Sequence, residues 1–337
     1  MMAVSLCMIT KNEEPTLKDC LESVKGIASE IIIVDTGSTD KTKSIASQYT
    51  KQIIEAAWQD SFSHVRNLAL QHATKDWILV MDADERMDEQ GSNMLIHLAK
   101  KGKADAYAFE QRTYLKQQHA NCVANKQQHA AEYPFYVSRH LVRLFRNKKG
   151  IEFRHRVHEI VEDSIREKKL AMEKVPIVIH HFGSVLGNKS AVEKRTLYGK
   201  LILLQVKDNP DNARYQYYAG HHFLEQNNLD KALLHFKKTA ALDPSYKLIF
   251  SDIAKVFLKK QDTENAMLFF RKSLEFNPDN ASPANNLAVL LMQRRHFSEA
   301  KQLLEESLQR NPTNQALRIN YQQLLKEMED NRRHVAG

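Results

Sequence analysis

Four prolines, Pro210, Pro244, Pro278 and Pro312, stand 34 residues apart each time. A chain that repeats itself at this interval is committed to stacking copies of one small unit. Each proline follows Asn or Asp (Asn209, Asp243, Asn277, Asn311), a pairing that stops one helix and turns the chain. Between the prolines the same slots recur: Ala219-Gly220, Ile253-Ala254 and Leu287-Ala288, then Phe223, Phe257 and Leu291, then Ala232, Ala266 and Ala300, then Phe236, Phe270 and Leu304. Small residues at fixed slots let paired helices approach closely, and the aromatic or leucine slots fill the space between them. Glycine supports long helices over turn-rich β structure, at 10 in 337 residues against a typical share of about 7%.

This 34-residue pattern resembles the tetratricopeptide repeat. The resemblance implies three helix pairs over 213–314, a capping helix and tail over 315–337 with a polar outer face, and a linking helix over 191–212. It also implies a concave surface for a peptide, a protein partner or a second copy of the chain.

The first half, 1–190, has a different grammar. Val4 to Ile9, Ile31 to Val34 and Trp77 to Met81 are apolar runs. Between them lie helical stretches at Glu13 to Lys25, from a cap at Ser38 or Thr39 through Tyr49, and at Phe62 to Ala73. Apolar strands alternating with helices predict a parallel α/β sheet, whose ligands bind at the carboxyl ends of the strands. The net charge of +8 suits anionic ligands without demanding nucleic acid, and the aromatic pattern of a nucleic-acid surface is missing. Three cysteines, Cys7, Cys20 and Cys122, indicate a reducing compartment. No apolar run reaches the roughly 20 residues of a membrane helix, and the first ten residues read as a strand, so a soluble, cytoplasmic protein is expected.

Acidic groups follow each strand: Thr10-Lys11-Asn12-Glu13, Asp35-Thr36-Gly37-Ser38-Thr39-Asp40, and Asp82-Ala83-Asp84-Glu85. On an extended chain Asp82 and Asp84 would point to the same side, and carboxylates beside a phosphate suit Mg²⁺ or Mn²⁺. Gly37 lacks the partners of a dinucleotide fingerprint, and no P-loop is present. In this order the three blocks resemble the family 2 glycosyltransferases of the GT-A fold. Trp58-Gln59-Asp60-Ser61-Phe62-Ser63-His64-Val65-Arg66-Asn67 is similar to the branch of that family that often carries tetratricopeptide repeats. The expected architecture is therefore an α/β GT-A domain followed by an all-α repeat solenoid.

The resemblance implies a UDP-sugar donor and a peptide, protein or glycan acceptor. Asp35 would accept from the uracil ring, Thr10 and Glu13 would line the nucleoside pocket, and Asp82 would face the ribose or metal shell. Asp84 would ligate a Mn²⁺ or Mg²⁺ ion bridging the diphosphate, and Arg66 would contact the donor unless it is a surface charge. A looser likeness covers Arg143-Leu144-Phe145-Arg146, His158-Glu159 and His180-His181. It implies Glu159, or else His158, as the general base, and His181 or His180 as a further metal ligand. The basic set Arg139, Arg143, Arg146, Lys148, Lys149, Arg154 and Arg156 reads as a solvated rim or an anion-binding face. The Gln- and His-rich stretch 116–135, including His119, Gln127, Gln128 and His129, reads as an insertion able to act as a lid. Two rivals stand beside transfer: an inactive domain supporting the repeats, and a nucleotidyltransferase, which would show a glycine-rich phosphate loop after the first strand.

Overall fold

The computed structural model describes residues 3–118, 122–126, 132–186, 191–246 and 248–336; His119, Gln127, Gln128 and His129 of the expected lid lie outside them. The chain divides into two compact units at Leu201 and Ile202.

The described residues of the first unit form the strands β1 (Val4–Thr10), β2 (Ala28–Asp35), β3 (Ile53–Glu55), β4 (Trp77–Val80), β5 (Glu85–Met87), β6 (Ala106–Leu115), β7 (Val123–Ala124), β8 (Phe135–Arg146) and β9 (Met172–His181). Its helices are α1 (Leu17–Ser23), α2 (Thr42–Ala46), α3 (Phe62–His72), α4 (Glu89–Lys101), α5 (Glu162–Glu167), α6 (Gly183–Leu186) and the start of α7 (Ala191–Asp208). The sheet order is β3-β2-β1-β4-β8-β6-β9-β5, with β7 paired to β8.

Four strands, β3, β2, β1 and β4, run parallel, as the alternation of strands and helices predicts. Beyond β4 the expectation of a parallel sheet fails: β8 lies antiparallel to β4 and to β6. Strands β6 and β8 are neighbours without a crossover helix between them, so they meet in opposite directions. Part of the predicted insertion extends this pair, since β7 joins β8 and Asn125 N–H donates to the Pro134 carbonyl at 2.8 Å.

Alternate side chains of β1 enter opposite cores, as the pleat requires. Leu6 and Met8 pack with Leu17, Leu21, Leu79, Leu95 and Phe109, while Cys7 packs with Val34, Val65, Ala69, Ile78 and Phe145. The burial of Phe62–His72 begins with a cap: Ser61 Oγ accepts from His64 N–H at 3.2 Å. The cap expected at Ser38 or Thr39 is corrected. The helix α2 starts only at Thr42 without a side-chain cap at Lys41, because the Ser38 hydroxyl is used by Asp35.

The second unit is the predicted series of helix pairs, α8 (Ala213–Glu225) with α9 (Leu229–Leu242), α10 (Ile249–Lys259) with α11 (Thr263–Phe276), and α12 (Ala281–Gln293) with α13 (Phe297–Arg310), followed by α14 (Gln315–Ala336). The recurring slots are buried: Ala232, Ala266, Ala300, Phe236, Phe270 and Leu304 are all fully covered. A Cβ on Gly220 would overlap the Phe236 ring, so glycine sets how closely α8 meets α9. Each pair turns through a left-handed residue at the same slot, Asn227, Gln261 and Arg295.

Candidate active site

The carboxyl ends of β1 and β2 are laced by side chains. Thr10 Oγ1 donates to Asp35 Oδ2 at 3.1 Å, and Asp35 Oδ1 accepts from Gly37 and Ser38 N–H at 3.0 and 2.8 Å. With the Ser38 hydroxyl also on Oδ2, the four acceptor positions of this buried carboxylate are engaged by its own loop. Asn12, at a left-handed φ of 56°, receives Thr39 N–H at 2.8 Å and donates its own N–H to Ser38 Oγ at 2.9 Å. Glu13 N–H donates to Thr42 Oγ1 at 2.7 Å, and the Glu13 carboxylate accepts from Thr16. These residues hold the loops after β1 and β2 together.

After β4 the chain does not continue extended. Glu85 N–H donates to the Asp82 carbonyl at 3.0 Å, closing a turn, so Asp82 and Asp84 do not share one strand face as expected. Asp82 Oδ1 meets Arg66 at 2.6 Å and Oδ2 meets Arg143 at 3.4 Å. Burial opposes the Asp82 charge, but the two guanidiniums outweigh it and hold the carboxyl well below its ordinary range. Glu85 is fully buried and bonded to Arg143 and Gln111; burial, together with the Asp82 charge, pushes its pKa up despite Arg143.

Arg66 is the hinge of the cluster. It is buried on α3, and its Nε donates to Glu159 Oε1 at 2.8 Å while Nη2 holds Asp82. The reading as a surface charge is overturned. Its Nη1, Arg143 Nε and Asp84 Oδ1 are buried with no hydrogen-bond partner among the described residues. Asp84 Oδ2 lies 3.4 Å from His181 Nε2, and His181 Nδ1 is 3.0 Å from Thr113 Oγ1. Burial lowers the His181 pKa, yet the hydrogen bond and charge of Asp84 raise it overall. A Cβ on Gly183 would overlap Asp84 Oδ2 and lie 2.9 Å from His181 Nε2. Among the described residues, no group of three or more His, Cys, Asp or Glu side chains is arranged around a cation.

Of the two alternatives on β9, His180 points away from Asp84. Neighbours on β9 face opposite ways; His180 is buried, with Nδ1 2.7 Å from the Tyr114 hydroxyl and Nε2 3.4 Å from Asp88 Oδ2. Both ring nitrogens serve the core. His158 has a left-handed φ of 54° and its ring meets Tyr198 edge-on at 5.9 Å.

The basic set does not form one rim. Arg143 is buried, Arg146 lies over the Trp77 ring at 4.0 Å, Arg139 bonds Gln111 at 2.7 Å, and Arg154 pairs with Glu152 and Glu167. Sequence reasoning missed Glu85, Gln111 and the inward role of Arg143. Simple alternation along β8 does not carry that signal: the register shifts at Arg143, so Val142 and Phe145 enter one core and Leu144 the other.

The family model of glycosyl transferase family 2 matches residues 5–194. The chain belongs to this family. Tetratricopeptide-repeat models match 204–247 and 257–318 behind the family 2 domain. A TPR repeat-containing protein of Synechococcus elongatus is 37% identical over 189 residues, covering 54% of this chain and 43% of its own length. The SPbeta prophage-derived glycosyltransferase SunS of Bacillus subtilis is 25% identical over 241 residues, 68% of this chain and 53% of that protein. An uncharacterized glycosyltransferase of Rickettsia felis is 33% identical over 107 residues, 32% of this chain and 38% of that protein. The chain thus spans about half the length of the curated relatives it matches. A solved structure of Pseudomonas aeruginosa pilF overlays at a TM-score of 0.37 and 23% identity, with 42% of this chain and 64% of that one covered, too distant to add to the repeat's own residues. No helix among the described residues is long and apolar enough to cross a membrane.

Proposed function

We propose that the family 2 domain transfers a sugar, with inversion, from a UDP-sugar to a peptide, protein or glycan acceptor. The observation that carries this reading is the arrangement around Arg66, which grips Asp82 and Glu159 at once beside the unpartnered Asp84 Oδ1.

Arg66 fixes Glu159 through Oε1; Oε2 has no hydrogen-bond partner among the described residues and is the atom we assign to take the acceptor's proton. His158, next in the chain, is the second candidate. Arg66 Nη1 and Arg143 Nε are buried donors without acceptors, and a diphosphate supplies the acceptors that a guanidinium pairs with best. Asp84 and His181 fit a divalent cation: an idle carboxylate oxygen faces a ring nitrogen across space that only glycine at 183 leaves open. Two protein ligands leave positions for diphosphate oxygens and water, the usual company of Mg²⁺ or Mn²⁺. When bound, the cation would neutralise charge on the leaving diphosphate. Asp35, with its acceptor positions engaged, is assigned to shaping the nucleoside loop through Thr10 and Ser38 rather than to a free uracil contact. The repeats are assigned to a protein or acceptor platform.

The test is a panel of nucleotide sugars with and without Mn²⁺, read as protection against thermal unfolding and as release of nucleoside diphosphate. Protection by UDP-sugars and cation together supports the reading; protection by another nucleotide alone overturns the UDP assignment. Asp84→Asn should abolish the cation's contribution and cut turnover by roughly 10²–10³-fold, while the unliganded protein loses only the Oδ2–His181 pairing, since Oδ1 has no partner to lose. Unchanged turnover in that variant removes Asp84 from the cation site.

A further inference from the structure

Beside the Arg66 cluster stands a side chain that the reading above does not use. Tyr198 lies on α7, late in the first unit. Its ring meets the His158 ring edge-on at 5.9 Å and 87°, and the Phe62 ring at 5.8 Å and 75°. Phe62 in turn packs against Trp58 at 4.9 Å. The helix is pinned two residues further on, where Lys200 Nζ donates to Asp60 Oδ2 at 2.6 Å. Asp60 itself, at a left-handed φ of 52°, is held by Trp58 Nε1 at 3.0 Å and through its carbonyl by Arg156 at 3.2 Å. Three segments far apart in sequence therefore converge to fix this ring.

The ring is not sealed in. Tyr198 is 38% exposed, and among the described residues its hydroxyl has no hydrogen-bond partner. Burial of the hydroxyl end and the charges of Glu159, Asp82 and Asp84 push its pKa up to about 12, so it is a neutral donor at physiological pH. Its position follows from packing: the ring meets that of His158, whose neighbour Glu159 is tied through Arg66 to Asp82, two residues before Asp84. In a single displacement the anomeric carbon must sit between the base and the leaving diphosphate, hence between Glu159 and Asp84. A free donor packed on His158, next to Glu159, borders the place where the transferred sugar must lie.

We propose that Tyr198 contacts the sugar being transferred, donating a hydrogen bond from its hydroxyl to one of the sugar's oxygens while its ring covers part of the sugar's C–H surface. Tyr198 then discriminates among sugars attached to the same nucleotide, a role the nucleoside loop cannot perform. This inference rests on the proposed transfer from a nucleotide sugar.

The test uses the full chain and two titrations, one with UDP and one with UDP-glucose or whichever UDP-sugar in the panel binds best. Tyr198→Phe keeps the ring and its contacts with Phe62 and His158. Its affinity for UDP should stay within twofold, while its affinity for the UDP-sugar should fall roughly three- to tenfold, the value of one hydrogen bond. The KM for slow donor hydrolysis should rise by a similar factor. Tyr198→Leu, which also removes the ring, should lose more UDP-sugar affinity with UDP again spared. Equal losses for UDP and UDP-sugar would make Tyr198 a packing residue and overturn the inference; so would unchanged UDP-sugar affinity in both variants. If no nucleotide sugar binds the unaltered chain, the proposed function fails first and this inference falls with it.

Discussion

The two units treat charge in opposite ways. In the sheet unit Arg66, Arg143 and Glu85 are buried and, with Asp82 and Glu159, form one hydrogen-bonded cluster. In the repeat unit the ion pairs Arg271–Glu299, Arg294–Glu264 and Lys260–Asp230 lie at the surface, and the core is built from Phe, Leu, Ile and Ala. Surface pairs contribute little, about 0–1 kcal/mol each. Buried pairs carry a desolvation cost that their attraction only partly offsets, so apolar replacements often hold a fold equally well. A chain that builds half of itself from an apolar core has the means to do so throughout. Retaining five charged groups at the end of β4 is therefore better explained by chemistry than by stability.

The sharpest way to break this contrast is to alter one member of the cluster without changing its shape. Glu159→Gln keeps an oxygen for Arg66 and removes the proton acceptor. Transfer should fall by about 10²–10⁴-fold with UDP-sugar affinity unchanged, and the melting point should drop only as far as buried Arg66 loses a charged partner, as read by product formation alongside calorimetry. If this variant is silent and His158→Ala is inactive instead, the imidazole is the base and Glu159 orients the loop around it.

The reverse experiment belongs in the repeats. Phe236→Ala should cost about 3–5 kcal/mol of stability in denaturant unfolding while the protection of the family 2 domain by UDP-sugar persists. Gly220→Ala should also destabilise, since its methyl would overlap the same ring. Because the new methyl enters space that the lost ring vacates, the double variant should be less destabilised than the sum of the two by about 0.5–3 kcal/mol. Strict additivity would mean that the two residues do not meet.

A smaller effect concerns the buried acid of the repeats. Asp252 accepts from the Tyr217 hydroxyl at 3.2 Å and pairs with Lys255 at 3.1 Å. Burial works against its charge, but His221 and Lys255 win and lower its pKa. A lowered carboxyl contributes stability above its unfolded value of about 4, and that contribution is lost as pH falls through the folded value. Between pH 6 and 3 the unaltered repeats should lose more stability than Asp252→Asn, measured by urea midpoints at each pH. Parallel pH profiles would show that Asp252 is not coupled to folding.

How legible was this molecule in its residues? The repeats were readable because their signal is spacing: the slots of Ala232 and Phe236 recur at 34 and each copy is buried. The strands β1, β2 and β4 were readable as apolar runs. The mixed half of the sheet was not: β8 runs antiparallel to β6 while β9 runs parallel to it, and the pairing of β6 and β8 across a long segment is a tertiary outcome. Arg143 was misjudged, and Arg66 left open between a donor contact and a surface charge, for a different reason. A charged residue in a sequence reads as surface until its partners are known, and those partners, Asp82, Glu85 and Glu159, are up to 93 positions away. Asp82 and Asp84 were recognised as a pair, but the turn that sends one towards arginine and the other towards histidine is set by Glu85, whose carboxylate accepts from Asp82 N–H at 2.8 Å.

The bare backbone at Gly183 has a consequence for reading related chains. A methyl there would lie against both Asp84 and His181 while leaving every recognisable acidic motif in place. On the proposed cation site, a homologue carrying alanine or anything larger after its phenylalanine would keep those motifs but have to move its counterparts of Asp84 and His181. Sorting such sequences by this one position, and comparing their cation dependence, would therefore test the proposed site across many chains at once.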